Sequence, residues 1–392
     1  MKQKNVAIIG AGPIGLDAAL AAEAHGYDFT VYEGGVVGDA VRQWGHVRMF
    51  SPFAMNSSAA GRERLRSAGV HLPASDSLLT GGAFRERYLQ PLARTFGAQV
   101  QEQTHVLAVG RARRLKGDFI GAAERGTAPF RLLLRDAGGE RVAEANIVLD
   151  CSGTYGQSNS LGEGGIPVPG ETACAERIHY GVPDFAESTA QRFLVVGAGH
   201  SAATVVRDLA RGAGEVTWLI RRPRELPAEE VPNDPLPERA RLAAAANDLV
   251  RSGRVRLLRD AVIGALEPTG SGVKVHWRNA ASEKGILEVD EIVAATGFRP
   301  DLSLTRELQL QTCWATEGTY PLAASLLGEA GADCLATPVF GAETLLHPEP
   351  GFFTLGMKSY GRAPNFLLRT GYEQVASVFA WLEKNTGALL TR

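Results

Sequence analysis

The stretch "VAIIGAGPIGLDAALAA" sets Gly10, Gly12 and Gly15 between an apolar run and a run of small residues. Few local patterns restrict a fold so tightly, because the glycines permit a sharp turn, let the backbone approach a pyrophosphate and seat a helix close on a strand. The pattern carries weight only in context. Here "NVAIIG" reads as a buried strand, and "PIGLDAALAAEAHG", from Pro13 to a capping Gly26, reads as an alanine-rich helix. The next strand, "DFTVYE", ends in Glu33, about 20 residues past the glycines, where a carboxylate bonds an adenosine ribose.

The same order recurs from Phe193 to Val206 in "FLVVGAGHSAATVV". Strand "RFLVVG" leads into a turn with Gly197, Gly199, His200, Ser201 and Ala202, then a helix through "TVVRDLARG", then strand "EVTWLI". That strand delivers Arg221 and Arg222 where the first unit has Glu33. A carboxylate prefers a free ribose hydroxyl, whereas guanidinium suits the 2′-phosphate of NADP. The first unit is therefore expected to hold FAD and the second NADPH. The alternative for a glycine turn read singly is a plain tight turn, and for the arginine pair a solvated strand end; two complete units that differ in this one charge argue for nucleotides.

Two further apolar strands, "NIVLDCSGTYG" (Asn146–Gly156) and "DEIVAATGFRPDL" (Asp290–Leu302), deliver small-residue turns ahead of each change of domain. Thr296 and Gly297 in the second are expected to pass close to a cofactor; the alternative is a plain hinge. "SLGEGGIPVPGETA" reads as a linker. "RRPRELPAEEVPNDPLPERARLAAAAND" reads as a surface lid or loop, and "VLAVGRARRLKGDFIGA" with "PFRLLLRDAGGERVAEANIVL" as antiparallel strand pairs, the basic cluster Arg111–Lys116 being a solvated turn. The fold class expected is α/β, with two Rossmann-like, three-layer ββα domains. The NADPH domain is inserted into a discontinuous FAD domain: residues 1–160 form its first part, 161–290 the linker and NADPH domain, and 291–392 the return segment.

Bulk properties narrow the partners. With 392 residues, 45% hydrophobic and 21% charged, the chain has the composition of an ordinary globular protein. Forty-one basic against forty-three acidic residues leave a net charge of −2, so no field favours nucleic acid or an anionic membrane, and a small-molecule substrate is the better expectation. Neither a signal peptide nor a membrane span is read, which implies a cytoplasmic protein; a homodimer stays open. Cys151, Cys174, Cys313 and Cys334 have no metal-ligand spacing, and no metal is expected.

Taken together the motifs resemble the flavin-dependent monooxygenases with two dinucleotide-binding domains, within the wider thioredoxin reductase-like group. The resemblance rests on Gly10–Gly15, the G-x-G-x-S-A pattern at Gly197–Ala202, the A-T-G turn at Ala295–Gly297 and "WGHVRMFSPFAMNSS" (Trp44–Ser58). This last segment looks like one that passes near the flavin, which implies a cofactor contact at Trp44 and a catalytic polar group at Asn56. Asn56 reads equally as a cap for the helix at "SSAAGRERL". His46 and Arg48 are either pocket-lining or ordinary surface residues. A helix starting near Gly371 would aim its N–H groups at the flavin pyrimidine, preceded by a polar loop of Lys358, Ser359, Tyr360 and Arg362.

The family signature F-x-G-x-x-x-H-x-x-x-F/Y is only partly kept. "CAERIHYGVPDF" has His179 and Phe185, but Ala173 and Ala175 stand where an aromatic and a glycine belong. The close cysteine pair of the related disulfide reductases is missing, so electrons must pass from flavin straight to dioxygen or to a bound substrate. The activity implied is FAD- and NADPH-dependent oxygenation of nitrogen or sulfur in a small molecule through a flavin hydroperoxide. Two alternatives are an NADPH-dependent flavin reductase of a small disulfide or other acceptor, and a non-enzymatic redox-sensing flavoprotein.

Overall fold

A computed structural model describes residues 5–212, 214–328 and 340–390, so Cys334 lies outside the described residues. The chain divides into two compact units, one of Met1–Arg42, Pro52–Gln157 and Arg299–Arg392, the other of Gln43–Ser51 and Ser158–Phe298.

The first unit opens with β1 (Asn5–Ile9), which pairs in parallel with β2 (Asp28–Tyr32) across the helix Pro13–Ala24. β2 then takes β3 (Val100–Gln101) on its outer side. An antiparallel sheet of β4 (His105–Arg111), β5 (Phe130–Asp136) and β6 (Gly139–Ala145) follows, after which β7 (Ile147–Asp150) returns beside β1.

The second unit begins with β8 (Ile178–Tyr180), then repeats strand, helix and strand with β9 (Arg192–Val196), the helix His200–Leu209 and β10 (Glu215–Leu219). After the helix Pro237–Arg251 come β11 (Arg256–Leu258), the antiparallel β12 (Ala261–Pro268), β13 (Val273–Asn279) and β14 (Lys284–Val289), and the returning β15 (Glu291–Ala294). Back in the first unit, β16 (Phe352–Thr354) joins β7.

Among the described residues each unit thus carries a five-stranded parallel sheet and a three-stranded antiparallel one. The parallel orders are β16-β7-β1-β2-β3 and β8-β15-β9-β10-β11, which are the same arrangement. Only the outermost strand differs in origin: β16 comes late in the chain and β8 comes before its unit's glycine turn.

β1 and β9 read as continuous apolar runs because both their faces are covered. In the second unit the alternation of side chains splits cleanly. Leu194, Val196, Ile292 and Ala294 pack with Ile263, Leu266, Val273 and Val275 of the antiparallel sheet. Val195, Val293 and Trp218 face the other way, onto Ala202, Val206, Leu242 and Ala246 of the two helices. In the first unit Ala7, Ile9, Val148 and Phe352 pack with Val109, Phe130, Leu132 and Leu134.

Several expectations are corrected. The division at 290 falls too early, because β15 hydrogen-bonds to both β8 and β9 and so belongs to the second sheet. Residues 43–51 join the second unit, where Phe50 packs on the helix-side core and its ring meets His200 at 5.5 Å. The expected lid includes the 15-residue helix Pro237–Arg251, whose Leu242, Ala243 and Ala246 are core residues. Arg111 is no solvated turn residue: it ends β4 with a buried side chain.

Candidate functional site

The first glycine turn is shaped by the protein around it. Gly10 has φ 100°, and a Cβ there would sit 2.8 Å from the Cys151 carbonyl oxygen, while one on Gly15 would overlap the Gly10 carbonyl. Gly12 is different. A Cβ built on it meets nothing within 4 Å, so packing against protein does not require glycine there. Gly12 is also the N-cap of the helix Pro13–Ala24 and offers no side-chain cap, leaving the first-turn N–H groups to an anion. Both observations fit a nucleotide pyrophosphate.

Glu33 stands just past β2. Its Oε2 accepts from the Ala11 N–H at 2.7 Å and its Oε1 from the Gly35 N–H at 2.9 Å. Burial raises its carboxyl above the usual range, against the lowering effect of those two N–H groups. Each oxygen keeps a lone pair with which to accept from a ribose hydroxyl. Glu33 therefore braces the turn and keeps acceptor capacity for a further donor.

The second turn repeats this construction. Gly197 has φ 125°, and a Cβ on it would overlap the Ala295 carbonyl, as one on Gly10 would crowd that of Cys151. The strand ends after β7 and β15 thus each floor a glycine turn, which is a physical reason for small residues at both. Gly199 again has open space at its Cβ and caps the helix His200–Leu209 with no side chain. His200 and Ser201 are exposed and Ala202 is buried.

Arg221 and Arg222 are both exposed beyond β10, and among the described residues neither guanidinium enters an ion pair. Thr296 Oγ1 donates to the Asn159 carbonyl at 2.6 Å, and Asn159 Nδ2 donates to the Thr296 carbonyl at 3.1 Å, with Gly297 next in line. This clasp ties together the two chain crossings at the edge of the second unit.

Other expected site residues are more dispersed. Asn56 ends the short helix Phe53–Asn56 and is 4% exposed; its carbonyl accepts from the Tyr372 hydroxyl at 2.6 Å. It does not cap the following helix. Ser58 does, its Oγ accepting from the Gly61 N–H at 3.0 Å. Trp44 falls in the second unit rather than the first, with its indole N–H buried and, among the described residues, unpartnered. His46 and Arg48 lie in the same segment and are exposed.

The last helix begins at Leu368, so Gly371 lies inside its first turn; a side chain there would collide with Ile14 and Phe366. The expected polar loop before it is mostly buried, with Lys358, Ser359 and Tyr360 inside and only Arg362 exposed. His179 pairs with Glu291 at 2.8 Å and stacks edge-on against Phe185 at 5.2 Å. The retained part of the signature thus pins β8 to β15.

Sequence reasoning missed the ion pair beneath the first turn. Lys358 Nζ donates to Asp150 Oδ2 at 2.7 Å and to Ser152 Oγ at 3.0 Å, while Asp150 Oδ1 accepts from the Ser152 N–H and hydroxyl. Lys358 is 2% exposed and Asp150 0%. The pair holds the 150–152 segment on which Gly10 rests. The aspartate closing a run of buried strand was the available signal, since a buried carboxylate demands a partner.

Among the described residues no three His, Cys, Asp or Glu side chains gather as a metal site, and no helix is long and apolar enough to cross a membrane.

Comparison with known proteins agrees with the architecture. A ferredoxin–NADP reductase from Salinispora arenicola is 29% identical over 317 residues, covering 79% of this chain and 79% of the relative. Among solved structures, the bacillithiol disulfide reductase of Bacillus cereus matches with a TM-score of 0.71 at 18% identity, over 98% of this chain and 100% of that one. An ornithine N-hydroxylase from Kutzneria matches with a TM-score of 0.65 at 16% identity, over 98% and 100%. At those identities the likeness is one of fold, that of flavoproteins with two dinucleotide-binding domains. Residues 4–318 match the pyridine nucleotide-disulphide oxidoreductases, and the chain belongs to that family.

Proposed function

We propose that the chain is an NADPH-dependent flavoprotein reductase that passes electrons to a bound acceptor without a protein dithiol. FAD would be held by the turn Gly10–Gly15 and Glu33, and would supply the hydride-accepting and electron-donating chemistry. NADPH would be held by the turn Gly197–Ala202, with Arg221 and Arg222 on its 2′-phosphate.

The observation that carries the acceptor reading is the state of the thiols. Among the described residues Cys151, Cys174 and Cys313 are free and buried, and burial beside Asp150 raises the Cys151 thiol well above its ordinary range. A cysteine with no second thiol beside it cannot form the intramolecular disulfide through which a dithiol relays two electrons. A relative aligned over most of the chain is named a ferredoxin–NADP reductase, which supports an external redox partner.

A second reading is oxygenation of nitrogen or sulfur in a small molecule, with Asn56 at the reactive edge. Its support is the burial of Asn56 and the main-chain bond that fixes it. Against it stands His179, whose ring is engaged by Glu291 and Phe185 within the second unit.

The two readings separate under argon. NADPH oxidation by the purified protein is to be followed with ferredoxin, ferricyanide and small disulfides, with and without dioxygen. Turnover without dioxygen is the expected result; NADPH use that requires dioxygen and yields an oxygenated amine or thioether would establish the second reading instead.

A further inference from the structure

After β10 the chain runs through residues 220–236 before the helix Pro237–Arg251 begins. The stem of this segment is clamped by main chain: Ile220 N–H donates to Leu258 O at 2.9 Å, Ala261 N–H to Ile220 O at 3.0 Å and Asp260 N–H to Arg222 O at 3.3 Å. The far side is clamped by side chains from the helix. Asn247, 0% exposed, accepts from the Ala228 N–H at 3.1 Å and donates to the Ala228 carbonyl at 3.0 Å and to Glu230 Oε1 at 2.7 Å. One amide therefore reads both main-chain groups of a residue, as a strand partner would, and spends both its donor hydrogens and its acceptor on this segment.

A second clamp lies further along. Arg239 Nε and Nη2 each donate to Asp234 at 2.7 Å, a bidentate pair with side chains 8% and 1% exposed, and Asp234 also accepts from the Leu236 N–H at 2.8 Å. Asparagine inside a helix is a weak helix former, so its place on the buried face needs a reason beyond helix formation. The two clamps hold the backbone downstream of Arg221 and Arg222 against the same helix that carries core residues Leu242, Ala243 and Ala246.

We infer that Asn247, seconded by the Arg239–Asp234 pair, is a positioning residue that selects NADPH over NADH by fixing the exit of the arginine-bearing strand end. Neither Asn247 nor Arg239 needs to touch the nucleotide. A guanidinium recognises phosphate in a fixed planar geometry, and displacement of its backbone by an ångström forfeits it. The inference rests on Arg221 and Arg222 being the 2′-phosphate ligands.

The test uses the full flavin-loaded protein and two probes, 2′,5′-ADP and 5′-AMP, titrated by calorimetry, alongside NADPH and NADH kinetics. Asn247→Leu is expected to weaken 2′,5′-ADP roughly tenfold while 5′-AMP changes less than about twofold, and to raise the KM for NADPH more than it changes kcat. Asp234→Asn keeps the shape and is expected to move the same ratio in the same direction by a smaller factor. Equal loss of both probes in each variant, or no change in either, would overturn the positioning role. Arg221→Ala with Arg222→Ala tests the premise separately: a double variant that binds 2′,5′-ADP as wild type removes the premise, whereas a loss there with Asn247→Leu unchanged removes only the inference.

Discussion

The oxygens of Glu33 are engaged by two main-chain N–H groups, that of Ala11 in the glycine turn and that of Gly35 just past β2, so its removal acts on the turn and on the ligand together. Glu33→Ala is expected to weaken FAD binding by tenfold or more, about 1.4 kcal/mol at least, read from flavin fluorescence on titration of the apoprotein. Retention of wild-type affinity would remove Glu33 from the site. Two titratable groups in the same unit, the buried Asp17 and the half-buried His347, give opposite pH signatures. Burial pushes Asp17 up to about 6 from 3.8, so its contribution to stability is present below about pH 4 and lost as pH rises through 6. Burial pushes His347 down to about 4 from 6.5, so its contribution is present above 6.5 and lost as pH falls toward 4. Asp17→Asn is accordingly expected to gain up to roughly 3 kcal/mol at pH 7.5 and little at pH 4, and His347→Gln to lessen the loss on acidification, both by denaturant titration across pH.

At the scale of elements, a buried triad locks the antiparallel sheet of the first unit to the segment before β16. Glu349 accepts from Arg111 Nε at 2.7 Å, from Arg125 Nε at 2.9 Å and from the Gln309 main-chain N–H at 2.8 Å, and solvent reaches none of the Arg111, Arg125 and Glu349 side chains. Arg125 Nη1 in turn donates to the carbonyls of Leu115 and Asp118, which shapes the β4–β5 connection. Glu349→Ala leaves two buried guanidiniums unpaired and is expected to cost about 3–5 kcal/mol, measured by urea unfolding. Amide exchange should accelerate first between residues 111 and 128. A loss within about 0.5 kcal/mol would mean that the guanidiniums find other partners.

Across the whole molecule the same plan occurs twice, with opposite charge at equivalent strand ends: Glu33 past β2 and Arg221 and Arg222 past β10. Arg221→Ala with Arg222→Ala is expected to raise the KM for NADPH by one to two orders of magnitude, roughly 1.4–3 kcal/mol, and to leave that for NADH within about twofold. Equal effects on both nucleotides would refute the assignment. Both glycine turns, their strands and the charge at each strand end were legible in the sequence because each is written within a contiguous stretch of about 30 residues, the size of a βαβ unit. The Lys358–Asp150 and Arg111–Glu349 pairs were not, because their members stand 208 and 238 residues apart and a lone charge in a sequence does not announce its partner.

The sequence by itself determined the local devices: the turns at Gly10 and Gly197, the helices that follow, and Glu33 set against Arg221 and Arg222. These depend on backbone freedom, hydrophobic periodicity and charge over short spans, all of which are properties of neighbours in the chain. Only the tertiary structure decided which strands complete each sheet, that residues 43–51 belong with the second unit, that residues 237–251 form a helix rather than a lid, and that Lys358 and Arg111 are buried. Those outcomes depend on pairing between distant segments, where the gain from burying a surface or matching a charge exists only once the chain has brought the two together.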